Sequence, residues 1–179
     1  MTPQTILDFW FSPNAQPFWF AKSDEFDQQI RQHFLILWQQ AAQGELAEWR
    51  ATLHGRLAEI IVLDQFSRNL HRNSSQAFAQ DLTALILAQE AIKQAGFSSM
   101  TLDERRFMLL PFMHSESLTI HRQAVELFAQ FTDEFTLEFE QKHLAIIERF
   151  GRYPHRNAVL GRISHPEEIE FLKQPNSAF

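Results

Sequence analysis

Three carboxylates fall where a helix would turn an apolar face inward. Asp64 extends the row Leu57, Ile60, Ile61. Asp81 sits among Phe78, Leu82 and Leu85, and Glu116 among Leu109, Met113 and Ile120. An acid on such a face must be ion-paired, protonated or opened to a cleft, because unpaired burial costs on the order of several kcal/mol. Arg68 follows Asp64 at the four-residue spacing at which helical side chains meet. Further cations come from residues 149–165, which hold Arg149, Arg152, Arg156 and Arg162 and no acid. Two arrangements fit this pattern. In one, Asp64, Asp81 and Glu116 are structural carboxylates that orient Arg68, Asn69, Arg152, Arg156 and Asn157 around a carboxylate or phosphate ligand, a job suited to the guanidinium fork. In the other, the same charges form an internal network that docks helices. A phosphate loop, a dinucleotide fingerprint and a nucleophile elbow are all missing from the sequence.

Proton transfer has three candidates: His114, Glu116 and His155. The first two lie in Leu110-Pro111-Phe112-Met113-His114-Ser115-Glu116-Ser117, where polar residues gather directly after a proline. A histidine there titrates near neutral pH and suits general acid–base work. His155 lies in the arginine-rich stretch. His-x-Glu is not a helical ligand spacing, and no His-Glu-x-x-His occurs, so no metal is expected. The chain has no cysteine, which excludes thiolate sites, cysteine nucleophiles and disulfides. No cofactor is expected.

The elements that must carry these residues read as helical nearly throughout, with scarce glycine and little strand-like alternation. The first helix is predicted over about Pro3–Phe11, capped by Thr2 with Pro3 at its first position. Ser12–Pro17 reads as a loop. A second helix spans about Ser23–Gln43, capped by Ser23 and stopped at Gly44. A third covers about Leu53–Phe66 and a fourth Ser75–Ala95. Thr101 and Glu104 make a capping box for a helix through Leu110. Pro111 should kink or divide this helix, and another continues from there to about Phe131. Phe131, Phe135 and Phe139 lead a helix that ends at Phe150 before Gly151. Ser164 and Glu167 repeat the capping-box pattern for a last short helix, and Gln174–Phe179 reads as frayed. The doublet Phe9-Trp10-Phe11 and Phe18-Trp19-Phe20 is expected to pack an N-terminal hairpin. The sum is an all-α array of about eight antiparallel helices in a single domain, residues 1–179.

The 179 residues are 45% hydrophobic and 21% charged, an ordinary balance for a folded chain. Eighteen phenylalanines and four tryptophans against one tyrosine call for a dry, bulky core. The net charge of −6 lacks the basic footprint of a nucleic-acid binder. The start, MTPQTILDFWF, lacks the basic and apolar regions of a signal peptide, and no apolar run approaches the ~20 residues of a membrane span, so the cytoplasm is the expected location. Arginine outnumbers lysine twelve to four, which fits cations engaged with planar anions.

Five segments resemble a known family, the bacterial domain of unknown function 924. They are Leu7-Asp8-Phe9-Trp10-Phe11, Phe18-Trp19-Phe20, Leu63-Asp64-Gln65-Phe66-Ser67-Arg68-Asn69, Leu110-Pro111-Phe112-Met113-His114-Ser115-Glu116 and Phe150-Gly151-Arg152-Tyr153-Pro154-His155-Arg156-Asn157. The resemblance implies a tetratricopeptide-like helical superhelix and no established reaction, cofactor or partner. Ser67 stands where that family commonly has proline. The expected partner is an anionic small molecule or, alternatively, a peptide lying in a helical groove. Nucleic acid and membrane are not expected. The sequence leaves the oligomeric state open.

Overall fold

The computed structural model describes residues 1–175 and 177. Among these it contains helices and turns and no strand. The elements are α1 (Pro3–Trp10), α2 (Asp24–Ala42), α3 (Leu53–Ile61), α4 (Ser67–Leu70), α5 (Asp81–Ala91), α6 (Leu102–Met113), α7 (Leu118–Phe131), α8 (Glu134–Phe150) and α9 (Pro166–Phe171), with short 3-10 turns between several of them. A π-helical segment, Val62–Phe66, joins α3 to α4, so the two form one rod. Helices α5, α6, α7 and α8 pack each against the next, and the α3 rod packs on α1, α2, α5 and α6.

The α3 rod is the hub. Every residue from Leu57 to Ser67 is buried, which fits a helix that is apolar all round rather than along one stripe. Its polar members must therefore find partners. Glu59 is chelated by Arg50 at 2.6 and 2.8 Å. Ser67 accepts a hydrogen bond from Trp38 Nε1 at 2.8 Å and donates to the Leu63 carbonyl. Around the hub, Phe107 meets Trp10 and Trp19 edge to face while the two tryptophans stack, and Phe9, Phe26 and Phe34 continue the aromatic layer. Trp10 is 1% exposed and Phe9, Phe11, Phe18 and Trp19 pack against the core, but Phe20 is 66% exposed, so the paired segments pack the N-terminal region except at Phe20.

Most predicted helix starts match. Thr2 and Ser23 cap α1 and α2, and the Thr101–Glu104 box is complete. Four readings need correction. The third helix does not stop at Phe66, because the π segment carries it on to Leu70. The fourth helix begins at Asp81, after a separate 3-10 turn over Ser75–Phe78, so Asp81 opens a helix instead of continuing a buried row, and Leu82 is exposed. Glu116 lies in the 114–117 connection between α6 and α7, since the chain leaves the helix two residues past Pro111. The last helix is capped by His165 with Glu168, one residue later than Ser164 and Glu167, because Pro166 suits the first helical position. Of the tail read as frayed, Asn176, Ala178 and Phe179 lie outside the described residues, while Ser177 is buried and donates to the Leu172 carbonyl. Among the described residues, no helix is long and apolar enough to cross a membrane.

Candidate functional site

The π segment sets up the site. A π turn inserts one extra residue into a helix and re-aims the side chains beyond it, a device common at functional positions. Here it carries Asp64, 1% exposed, at the centre of the hub. Asp64 Oδ1 lies 2.7 Å from His114 Nδ1 and 3.1 Å from Arg68 Nη1. Arg68 also donates to the Asp64 carbonyl at 2.8 Å and forks onto Asp81 at 2.9 and 3.1 Å. Arg156 reaches the same Asp81 at 3.0 Å and the His114 carbonyl at 3.0 Å. Its guanidinium lies against the rings of Phe78 and Tyr153, with centroids at 4.4 and 4.7 Å. Segments fifty and more residues apart in sequence thus meet in one cluster.

Two nitrogens of this cluster have no hydrogen-bond partner among the described residues. His114 spends Nδ1 on Asp64, which fixes the proton there and leaves the lone pair on Nε2. Nε2 has no hydrogen-bond partner among the described residues, in a side chain that is 15% exposed. Burial, and then the charge of Arg68, push the imidazole below its ordinary range against the pull of Asp64, so it is neutral at pH 7. Burial pushes the Asp64 carboxyl up, but Arg68 and His114 outweigh it and hold the group well below the usual carboxylate range. The second nitrogen is Arg156 Nε, which is buried and unpartnered, as is His155 Nδ1 next to it in sequence. Buried donors without acceptors are rare and call for explanation by water or a ligand.

A second network lies alongside. Glu116 accepts from Arg162 at 2.7 and 2.9 Å and from the Tyr153 amide at 2.7 Å. Arg162 continues to Asn157, Asn157 to Glu168, and Glu168 is chelated by Arg152 at 2.7 and 2.8 Å. Arg152 and Asn157 therefore tie α9 to the loop that follows α8 and stand apart from His114. Asn69 points elsewhere again, to Asp27 at 2.8 Å. Asp27 is held by Asn69 and Arg72 together.

Sequence reasoning passed over a third group. His121 and Glu140 are both fully buried and lie 2.6 Å apart, and His121 Nε2 faces the Ser115 carbonyl at 2.8 Å and the Tyr153 hydroxyl at 3.0 Å. Tyr153 donates its hydroxyl to the Met113 carbonyl at 2.6 Å. The signal was present: His121 shares a face with Ala124 and Phe128, and Glu140 with Thr136 and Ile147. Among the described residues, no three histidine, aspartate or glutamate side chains are grouped to hold a metal.

Two clefts open elsewhere on the surface. One of about 230 Å³ lies beside Asn69, between the start of α2 and the end of α4, and is lined by Lys22, Arg31 and Arg72 among others. The other, about 520 Å³, runs between α5, α6 and α7, with Ile92, Phe112 and Leu127 below a rim of Lys93, Gln123 and Glu126.

The model of a bacterial protein family of unknown function, DUF924, matches residues 6–176. The chain is also similar to the solved structure of the protein of unknown function ATU0120 from Agrobacterium tumefaciens, with 34% identity, 96% of each chain covered and a TM-score of 0.90. No curated protein matches the chain.

Proposed function

The chain belongs to this bacterial family of unknown function, DUF924, and we propose that it binds a small anionic molecule beside His114 and moves a proton on it through the Asp64–His114 dyad. The observation that carries this reading is a buried carboxylate 2.7 Å from a partly exposed imidazole whose other nitrogen has no hydrogen-bond partner among the described residues. A neutral imidazole so held is oriented as a general base, and the carboxylate stabilises the imidazolium formed on proton uptake. Arg68 and Arg156 flank it, but Asp64 and Asp81 already neutralise both. An anion therefore gains from them only through an unpaired edge, such as Arg156 Nε, or by displacing an Asp81 oxygen.

Thermal unfolding with a panel of phosphate monoesters and dicarboxylates tests the reading. A ligand at a hundred times its Kd stabilises by ~2.7 kcal/mol, which for a chain of this size raises Tm by roughly 5–10 °C. At least one anion is expected to do so in wild type and to lose most of the effect in His114→Gln. The reading fails if both proteins respond alike to every anion.

The 520 Å³ groove favours a second reading, a peptide-binding module of tetratricopeptide-like architecture whose buried ion pairs only hold the helices. In that case a helical or extended peptide library should select ligands whose binding is lost on Leu127→Asp and unaffected by His114→Gln. Ligands insensitive to Leu127→Asp would exclude it.

A further inference from the structure

The 230 Å³ cleft beside Asn69 stands apart from the dyad. Arg68 and Asn69 are neighbours in sequence, yet Arg68 turns toward Asp64 and Asp81 while Asn69 turns toward Asp27. We propose that this cleft is a phosphate-binding site, distinct from the His114 centre, in which Lys22, Arg31 and Arg72 receive a tetrahedral oxyanion.

Charge and anchoring support it. Three cations line the cleft against two carboxylates, Asp24 and Asp27, in a chain whose net charge is −6. Asp27 is already committed: Arg72 forks onto it and Asn69 donates to it at 2.8 Å, so this carboxylate serves as a brace for the guanidinium. Arg31 is anchored on the Leu70 carbonyl, a neutral acceptor, and makes no ion pair with any described residue. Lys22 is exposed and makes no ion pair with any described residue. Two guanidinium groups are thus held in place by the fold, and a mobile ammonium stands at the lip. Fixed planar donors suit a phosphate, whose oxygens accept several charge-assisted bonds at once, better than a single carboxylate. The volume agrees. Pockets for drug-sized ligands run to about 300–1,000 Å³, so this cleft takes an inorganic phosphate or the phosphate end of a larger molecule.

Titration of the full chain with inorganic phosphate, followed by amide NMR at constant physiological ionic strength, tests the proposal, because fixed salt holds screening constant. Saturable shifts are expected at Asn69, Arg72 and Asn73. Lys22→Gln loses no contact within the fold, so it should leave the rest of the spectrum intact and weaken phosphate binding about three- to tenfold. Adding Arg31→Gln should abolish the shifts. Succinate should bind at least about tenfold more weakly than phosphate. His114→Gln should bind phosphate as wild type does, and that arm separates this site from the dyad. Unsaturable shifts, shifts spread over the basic surface, succinate binding as tightly as phosphate, unchanged affinity in the double variant, or loss of the shifts in His114→Gln would each overturn it.

Discussion

Asp64→Ala is expected to lower the unfolding free energy by about 3–5 kcal/mol, the cost of breaking a buried ion pair by removing one partner. The cost lies in the groups left behind. His114 loses the acceptor for its Nδ1 proton, Gln65 loses the carboxylate oxygen it donates to, and Arg68 keeps Asp81 and the backbone carbonyl of residue 64. Gln65 cannot be rehydrated easily, because the rod around Asp64 is buried from Leu57 to Ser67, and His114 and Arg68 are only 15% and 20% exposed. The exposed pair Lys93–Glu90, by contrast, should cost less than ~1 kcal/mol when broken. Urea denaturation measures both. A fall in midpoint at unchanged slope is the expected form of the Asp64 result. A loss below about 1 kcal/mol would mean that the network is far better solvated than its geometry implies.

Acid is expected to destabilise the protein from about pH 6.5 downward, before most of its carboxylates titrate. Burial, and then the charge of Arg156, lower His155 to about 4, while burial lowers His143 to about 3. The unfolded chain protonates the same residues near pH 6.5. Between those values the unfolded state binds more protons, so stability is fully present above pH 6.5 and is lost as pH falls toward 4. Each histidine contributes on the order of 3 kcal/mol across that window. Glu140 acts the other way, because burial raises its pKa: it favours the fold at low pH and costs stability as pH rises through its folded value. Asp64 and Glu116 are held below the usual carboxylate range by their arginine and histidine partners, which outweigh burial, so they add a further loss only below about pH 4. His155→Gln should therefore flatten the stability profile between about pH 7 and pH 4.5. Urea midpoints at the two pH values check it, and equal slopes for wild type and variant would remove His155 from the account.

The helical layout was legible because its signals are local. Thr2, Ser23, Thr101 and Gly151 mark their helix ends through hydrogen bonds or left-handed geometry confined to a few residues. Asp64 was legible for a related reason, since an acid in a run of Leu, Ile and Val needs a partner wherever the helix lies. Asp81 and Glu116 were found by the same rule although their helical faces were misjudged: both are bound by arginines, but from a helix start and a connecting loop. What the sequence does not show is the choice among partners. Nothing local says that Arg68 and Arg156 share Asp81 while Arg152 goes to Glu168, because that pairing depends on how distant helices pack. The cleft at Lys22 and Arg31 is invisible for the same reason, and the π segment because its signature is one additional residue in an otherwise unbroken apolar run.

That additional residue has an evolutionary corollary. Excising one position between Asp64 and Arg68 would let the Leu53–Leu70 rod relax to ordinary α geometry and shorten their spacing from four residues to three. Arg68 would rotate off Asp81, and Asn69 off Asp27, in a single genetic event. A variant lacking that residue is expected to lose both contacts at once while gaining a more regular backbone.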